Sequence, residues 1–88
     1  MASQLYTVEL KQSAQKELEK LPNSVIARIV AKLEGLEENP RPSGCKKLKG
    51  GDDEYRVRVG EYRIVYVIED RKVIVTVTRI RHQRDVYE

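Results

Sequence analysis

Residues 54–80 read EYRVRVGEYRIVYVIEDRKVIVTVTRI, and three β-strands can be drawn on them before the rest of the chain is considered. Glu54–Val59 alternates Tyr55, Val57 and Val59 against Arg56 and Arg58, the period-two pattern of a half-buried strand. Gly60-Glu61 makes a two-residue turn in which glycine supplies the positive φ. Tyr62–Ile68 returns, and a polar turn at Glu69-Asp70-Arg71 leads into Lys72–Ile80. That last run is so rich in β-branched residues that it reads as a strand covered on both faces.

The hairpin fixes a register. With a two-residue loop, Val59 pairs with Tyr62, Arg58 lies opposite Arg63, and Arg56 lies opposite Val65. Side chains alternate along a strand, so Arg56, Arg58 and Arg63 share one sheet face. Tyr55, Val57, Ile64 and Tyr66 take the other. Like charges directly opposite destabilise a sheet by up to roughly 1 kcal/mol. Folding does not require that arrangement, whereas an anion that neutralises the cluster accounts for it. Arginine binds phosphate through two parallel hydrogen bonds and keeps its charge at any cellular pH. The plainer alternative is three solvated arginines, each balanced by Glu54, Glu61 or Asp85.

Upstream, Leu5–Leu10 alternates weakly and reads as a first strand. Ser13 is placed to cap a short helix whose apolar positions are Ala14, Leu18 and Leu21. Pro22-Asn23 breaks it. A second helix is predicted from Ser24 to Glu38, with Ile26, Ile29, Val30, Leu33 and Leu36 as its stripe, stopped by Asn39-Pro40-Arg41-Pro42. The short link implies an antiparallel helical hairpin. Ser43–Asp53 is a loop rich in Gly and Lys anchored by Leu48, and Arg81–Glu88 is a polar tail. The expected architecture is α+β, with an N-terminal strand and helical hairpin packed on a small antiparallel sheet. One domain would span residues 1–88.

Composition narrows the chemistry. Cys45 and His82 are the single Cys and His of the 88 residues, which excludes an internal disulfide and a four-ligand zinc site built from them. No run approaches the ~20 apolar residues that span a bilayer, and residues 1–9 do not read as a signal peptide, so a cytoplasmic location is expected. The formal charge of +3 is unevenly placed. Residues 1–45 carry six Lys/Arg and six Asp/Glu, and residues 46–88 carry eleven and eight. The excess positive charge therefore lies in the second half, where it favours an anionic partner.

Four other groups are candidates. His82 titrates near neutrality when unperturbed and suits general acid–base work, or is a surface polar residue. Tyr87 can stack on a base, or pack on the core. Lys46, Lys47 and Lys49 can steer phosphates, as can Arg84, or form an ordinary solvated run.

The run Lys47-Leu48-Lys49-Gly50 followed by Tyr55 to Tyr66 resembles the RelE/ParE toxin superfamily. The ending Arg81-His82-Gln83-Arg84-Asp85-Val86-Tyr87 is similar to its RelE branch. The resemblance covers essentially the whole chain, including the first helix ending Lys20-Leu21-Pro22 and the second ending Asn39-Pro40. It implies a toxin of a type II toxin–antitoxin system held in a hetero-oligomer by a cognate RelB-like antitoxin. It further implies a ribosome-dependent endoribonuclease that cuts mRNA in the A site without metal or other cofactor, through attack of the 2′-OH on the adjacent phosphorus. On that resemblance the catalytic set is Arg56, Arg58, Arg63, Arg81 or His82, and Tyr87. Some relatives carry Lys where this chain has Arg56 and Arg58. An arginine is a good charge stabiliser and a poor proton acceptor, which leaves His82 or Glu61 as the candidate base. Two other readings remain open: a ParE-like toxin that binds DNA gyrase without cutting RNA, and an inactive binding relative.

Overall fold

The computed structural model describes residues 5–51 and 53–85. The elements run β1 (Thr7–Leu10), α1 (Gln12–Glu19), α2 (Asn23–Glu38), β2 (Lys46–Lys47), β3 (Glu54–Val59), β4 (Tyr62–Glu69) and β5 (Ile74–His82), with a 3₁₀ turn at Gln83–Asp85. The strands form one sheet in the order β1-β5-β4-β3-β2. Strand β1 runs parallel to β5 and the other pairs are antiparallel, so the sheet is mixed.

The β3–β4 hairpin has the predicted register, with Val59 opposite Tyr62, Arg58 opposite Arg63 and Arg56 opposite Val65. Gly60 takes φ 59 in the turn, a conformation that costs a side chain with a Cβ. The β4–β5 turn is longer than the sequence indicated. Lys72 N–H donates to Glu69 O and Val73 N–H to Asp70 O, and β5 starts at Ile74 rather than Lys72.

Both helices pack on one face of the sheet, α1 along β5 and α2 against β1 and β3. Ala14, Leu18, Ile29, Leu33 and Leu36 meet Val57, Val59, Ile64, Tyr66, Ile68, Val75, Val77 and Ile80 in a single buried cluster. Each large apolar side chain buried there contributes about 1.5–3 kcal/mol. Val30, placed in the stripe by its spacing, is exposed. Strand β5 is not covered on both faces. Val75, Val77 and Ile80 are buried, while Ile74, Thr76 and Thr78 on the other side are only half-buried. Its β-branched content suits a strand paired along its length instead: β4 lies on one side, and β1 beside its first half on the other.

Two further readings need correction. Ser13 does not cap α1, because Lys11 occupies the N-cap without a side-chain bond, and the Ser13 hydroxyl donates to Thr78 O at 3.3 Å. The Lys-rich loop contains the short strand β2, which pairs Lys46 with Arg56 and Lys47 with Tyr55.

The sheet end farthest from the Gly60 turn is tied by polar contacts. Arg41 pairs with Asp70 at 2.9 Å and donates through Nε to the Tyr55 hydroxyl at 3.1 Å. The Tyr6 hydroxyl donates to the same carboxylate at 2.7 Å. The bonds from Arg41 and then Tyr6 hold the Asp70 carboxyl below its usual range. Buried Tyr66 stacks on Tyr55 and donates to Pro40 O at 2.8 Å. Burial, and then the neighbouring Cys45, push its phenol up.

Candidate anion-binding face

The sheet face turned away from the helices collects cations from four strands. Arg58 faces Arg63 across β3–β4, Arg63 faces Arg81 across β4–β5, and Lys46 faces Arg56 across β2–β3. Arg79 joins the same face opposite Val65. Burial, then Arg63, then Arg58 lower the Arg56 guanidinium below its ordinary value. An anion placed among these guanidinium groups offsets their like-charge repulsion. Arg58 is exposed and donates to Gly60 O at 3.4 Å. Glu54 and Glu69 share this face by register but sit toward its opposite end, opposite Val67 and Ile74.

A β-bulge decides which residues of β5 join the face. The β4–β5 register shifts between Val65 and Tyr66, so that Tyr66 faces Val77 while Val65 faces Arg79 and Thr78 is the extra residue. Strict alternation from Val75 and Val77 would have turned Arg79 and Arg81 into the helix-packed core. The bulge puts Ile80 there instead, where it is 2% exposed, and turns both arginines outward. The Thr78 hydroxyl donates to Val65 O at 3.2 Å and fastens the bulge.

Helix α1 attends to the same segment. Strand β1 pairs with β5 only from Ile74 to Val77, so the β5 edge beyond that point has no strand beside it. Lys11 N–H donates to Val77 O, and the Ser13 hydroxyl bonds Thr78 O. One turn later, Glu17 Oε1 accepts the Ile80 N–H at 2.8 Å. Glu17 Oε2 accepts from Arg81 Nε at 3.2 Å and from Arg79 Nη1 at 3.4 Å. Glu17 is not among the site residues that the sequence singles out, and its only local signal is its spacing of four from Ser13.

His82 is not brought to the arginine face. It lies opposite Tyr62 on the helix side, with its ring edge-on to that tyrosine at 5.1 Å. Its Nδ1 accepts the Arg84 N–H at 3.2 Å, and its Nε2 lies 3.4 Å from Glu61 Oε1. It lines an open groove of about 440 Å³ with Glu17, Lys20, Leu21, Tyr62, Ile80 and Arg81. Of the pair Arg81 or His82, the bulge therefore selects Arg81 for the cationic face. Lys47 pairs with Tyr55 and so points to the helix side of the sheet edge, while Lys49 and Arg84 are exposed beyond the ends of β2 and β5. Tyr87 lies outside the described residues. Among the described residues no group of three or more His, Cys, Asp or Glu is placed to hold a metal ion. No helix among them is long and apolar enough to cross a membrane.

A family model described as the ParE toxin of the type II toxin–antitoxin system, parDE, matches residues 8–87. The chain belongs to the RelE/ParE toxin superfamily. This RelE/ParE chain is 34% identical over 86 residues to the mRNA interferase toxin RelE of Escherichia coli K12, an alignment covering 93% of this chain and 90% of that protein. It is 31% identical over 83 residues to toxin RelG of Mycobacterium tuberculosis, covering 93% and 95%. Among solved structures, it is similar to the archaeal RelE–RelB complex from Pyrococcus horikoshii OT3, with TM-score 0.83, 25% identity and coverage of 93% and 99%. The isolated E. coli RelE toxin superposes with TM-score 0.78 and 33% identity over 88% of this chain and 83% of that one. These relatives place it in the RelE-like branch of the superfamily.

Proposed function

We propose that this RelE-like chain is an endoribonuclease toxin that cuts mRNA in the ribosomal A site and thereby arrests translation. The observation that carries the reading is the cationic face, with Arg58 opposite Arg63 and Arg63 opposite Arg81 on adjacent strands. The reaction has three requirements: the 2′-OH gives its proton to solvent water, O2′ attacks the adjacent phosphorus, and the P–O5′ bond breaks as the 5′-oxygen takes a proton from water, so that one proton moves in net from O2′ to O5′. The products are a 2′,3′-cyclic phosphate and a 5′-hydroxyl. Charge accumulates on the phosphoryl oxygens in between, and fixed cations aimed at that charge are usually the largest electrostatic contribution to such a step.

In this reading Arg56, Arg58, Arg63 and Arg81 stabilise the phosphoryl charge, and no metal takes part. Lys46 extends the track for the mRNA backbone, and Lys49 and Arg84 lie at its margins. Tyr87 stacks on a base. His82 and Glu61, paired with each other on the far side, support the end of β5 rather than the reaction. The complexes formed by relatives, among them the RelE–RelB complex of P. horikoshii, support a RelB-like antitoxin as the partner of this chain. The matching ParE family model favours a second reading, in which the same fold binds DNA gyrase and cuts nothing.

Cell-free translation with the wild type and an Arg58→Ala/Arg63→Ala double variant, followed by primer extension on the mRNA, separates the two. The expected outcome is ribosome-dependent cuts within codons that fall at least 100-fold in the double variant, the scale of losing transition-state charge stabilisation. Intact mRNA with folded wild-type protein would move the weight to gyrase.

A further inference from the structure

We infer that Glu17 is a positioning residue for the cleavage reaction, a carboxylate that sets where the Arg81 guanidinium stands; this rests on the endoribonuclease reading above. Glu17 is in a different element from every arginine of the face, and its side chain is 24% exposed against 41% for Arg81. Its two oxygens divide their work. Oε1 takes the Ile80 N–H, which fixes the carboxylate to the β5 backbone one residue from Arg81. Oε2 takes Arg81 Nε and Arg79 Nη1.

An arginine on a strand next to a bulge has many side-chain conformers and repulsive neighbours on its own face. Anchoring it through Nε removes that freedom and leaves its Nη groups to meet an anion. A clamp made before the substrate arrives costs no reorganisation at the moment of reaction. The same carboxylate lowers the positive charge of the face when no RNA is present, which eases the like-charge opposition of Arg63 and Arg81 across β4–β5. A charge intended only to close the strand edge would need one acceptor. The second oxygen, bonded to two arginines, has no part in that pairing.

The test is single-turnover cleavage of ribosome-bound mRNA by the wild type, Glu17→Gln, Arg81→Ala and the double variant, each measured against toxin concentration. Glutamine keeps an acceptor for the Ile80 N–H and removes the charge, and thermal unfolding checks that it folds. We expect Glu17→Gln to lower the saturating rate by on the order of 10- to 100-fold while the half-saturating concentration stays within about twofold. We expect no further loss when it is combined with Arg81→Ala. The Arg81 Nε–Hε resonance should be sharp and displaced in the wild type and should move to the position of a solvated arginine in Glu17→Gln.

A Glu17→Gln enzyme as fast as the wild type, or faster, would overturn the inference while wild-type cleavage upholds the function. The same loss in the Arg81→Ala background would overturn it too. Absence of cleavage by the wild type would overturn the function and this inference together. If Glu17→Gln fails to fold, Glu17→Asp decides: it keeps the charge but withdraws it by about one bond length, and a wild-type rate there sinks the clamp.

Discussion

At the scale of single residues, the far end of the sheet explains why Tyr66 is a tyrosine. The side chain is fully buried, and its hydroxyl donates to the buried Pro40 carbonyl at the point where the chain leaves α2. Tyr66→Phe keeps the ring and leaves that carbonyl without its donor. The expected loss is about 1–2 kcal/mol, read as a drop of several degrees in the thermal midpoint, since 1 kcal/mol moves a chain this small by roughly 4–8 °C. Cleavage should be unaffected at a temperature where both proteins are folded. The positions of Arg56, Arg58 and Arg63 were legible because a two-residue loop and strict alternation leave one answer. The partners of Tyr66 were not, since they lie far off in sequence. Ser13 was misread for a related reason: serine before an amphipathic run usually caps it, and a bond to a distant strand leaves no local mark.

Among the elements, β5 carried the least readable feature. Its run of Val and Thr has the same composition with or without an extra residue, so nothing marks Thr78 as the bulge. Yet whether Thr78 is bulged or paired determines whether Arg79 and Arg81 face solvent or the core. Deleting Thr78 joins Val77 to Arg79, the same step as Tyr66 to Val65 on β4, so regular alternation returns with Arg79 and Arg81 still outward and Ile80 still in the core. A strand that kept Thr78 but formed no bulge would instead turn both guanidinium groups inward, and burying charges without partners costs several kcal/mol each, more than a small domain can spare. The deletion should therefore still unfold cooperatively in a thermal melt, as should Thr78→Ala, and a deletion variant that is insoluble or melts without a transition would contradict this register. Strand β2 escaped notice because adjacent lysines have low strand propensity and appear here only as an edge pair. The hairpin needed no such help, since its own pattern and turn agree.

For the molecule as a whole, charge placement is the property that sequence counting anticipated well. Binding to single-stranded RNA should weaken steeply with salt through counterion release, each neutralised phosphate adding about 0.7 to the negative log–log slope. If Lys46, Arg56, Arg58 and Arg63 each engage one, the slope is about −3, and Arg58→Ala makes it shallower by about 0.7. Fluorescence anisotropy across a salt series measures both. What counting did not anticipate is the parallel pairing of β1 with β5, which joins Thr7 to Ile74. No local pattern encodes a contact between segments that far apart, and contacts of that kind form late and slowly. Their order has a meaning during protein synthesis. A growing chain carries its first strand without a neighbour until residues 74–82 have emerged, because β5 fills the slot between β1 and β4. The same segment brings Arg81 and its attachment to Glu17, so the nascent polypeptide holds an incomplete cationic surface while it is being made.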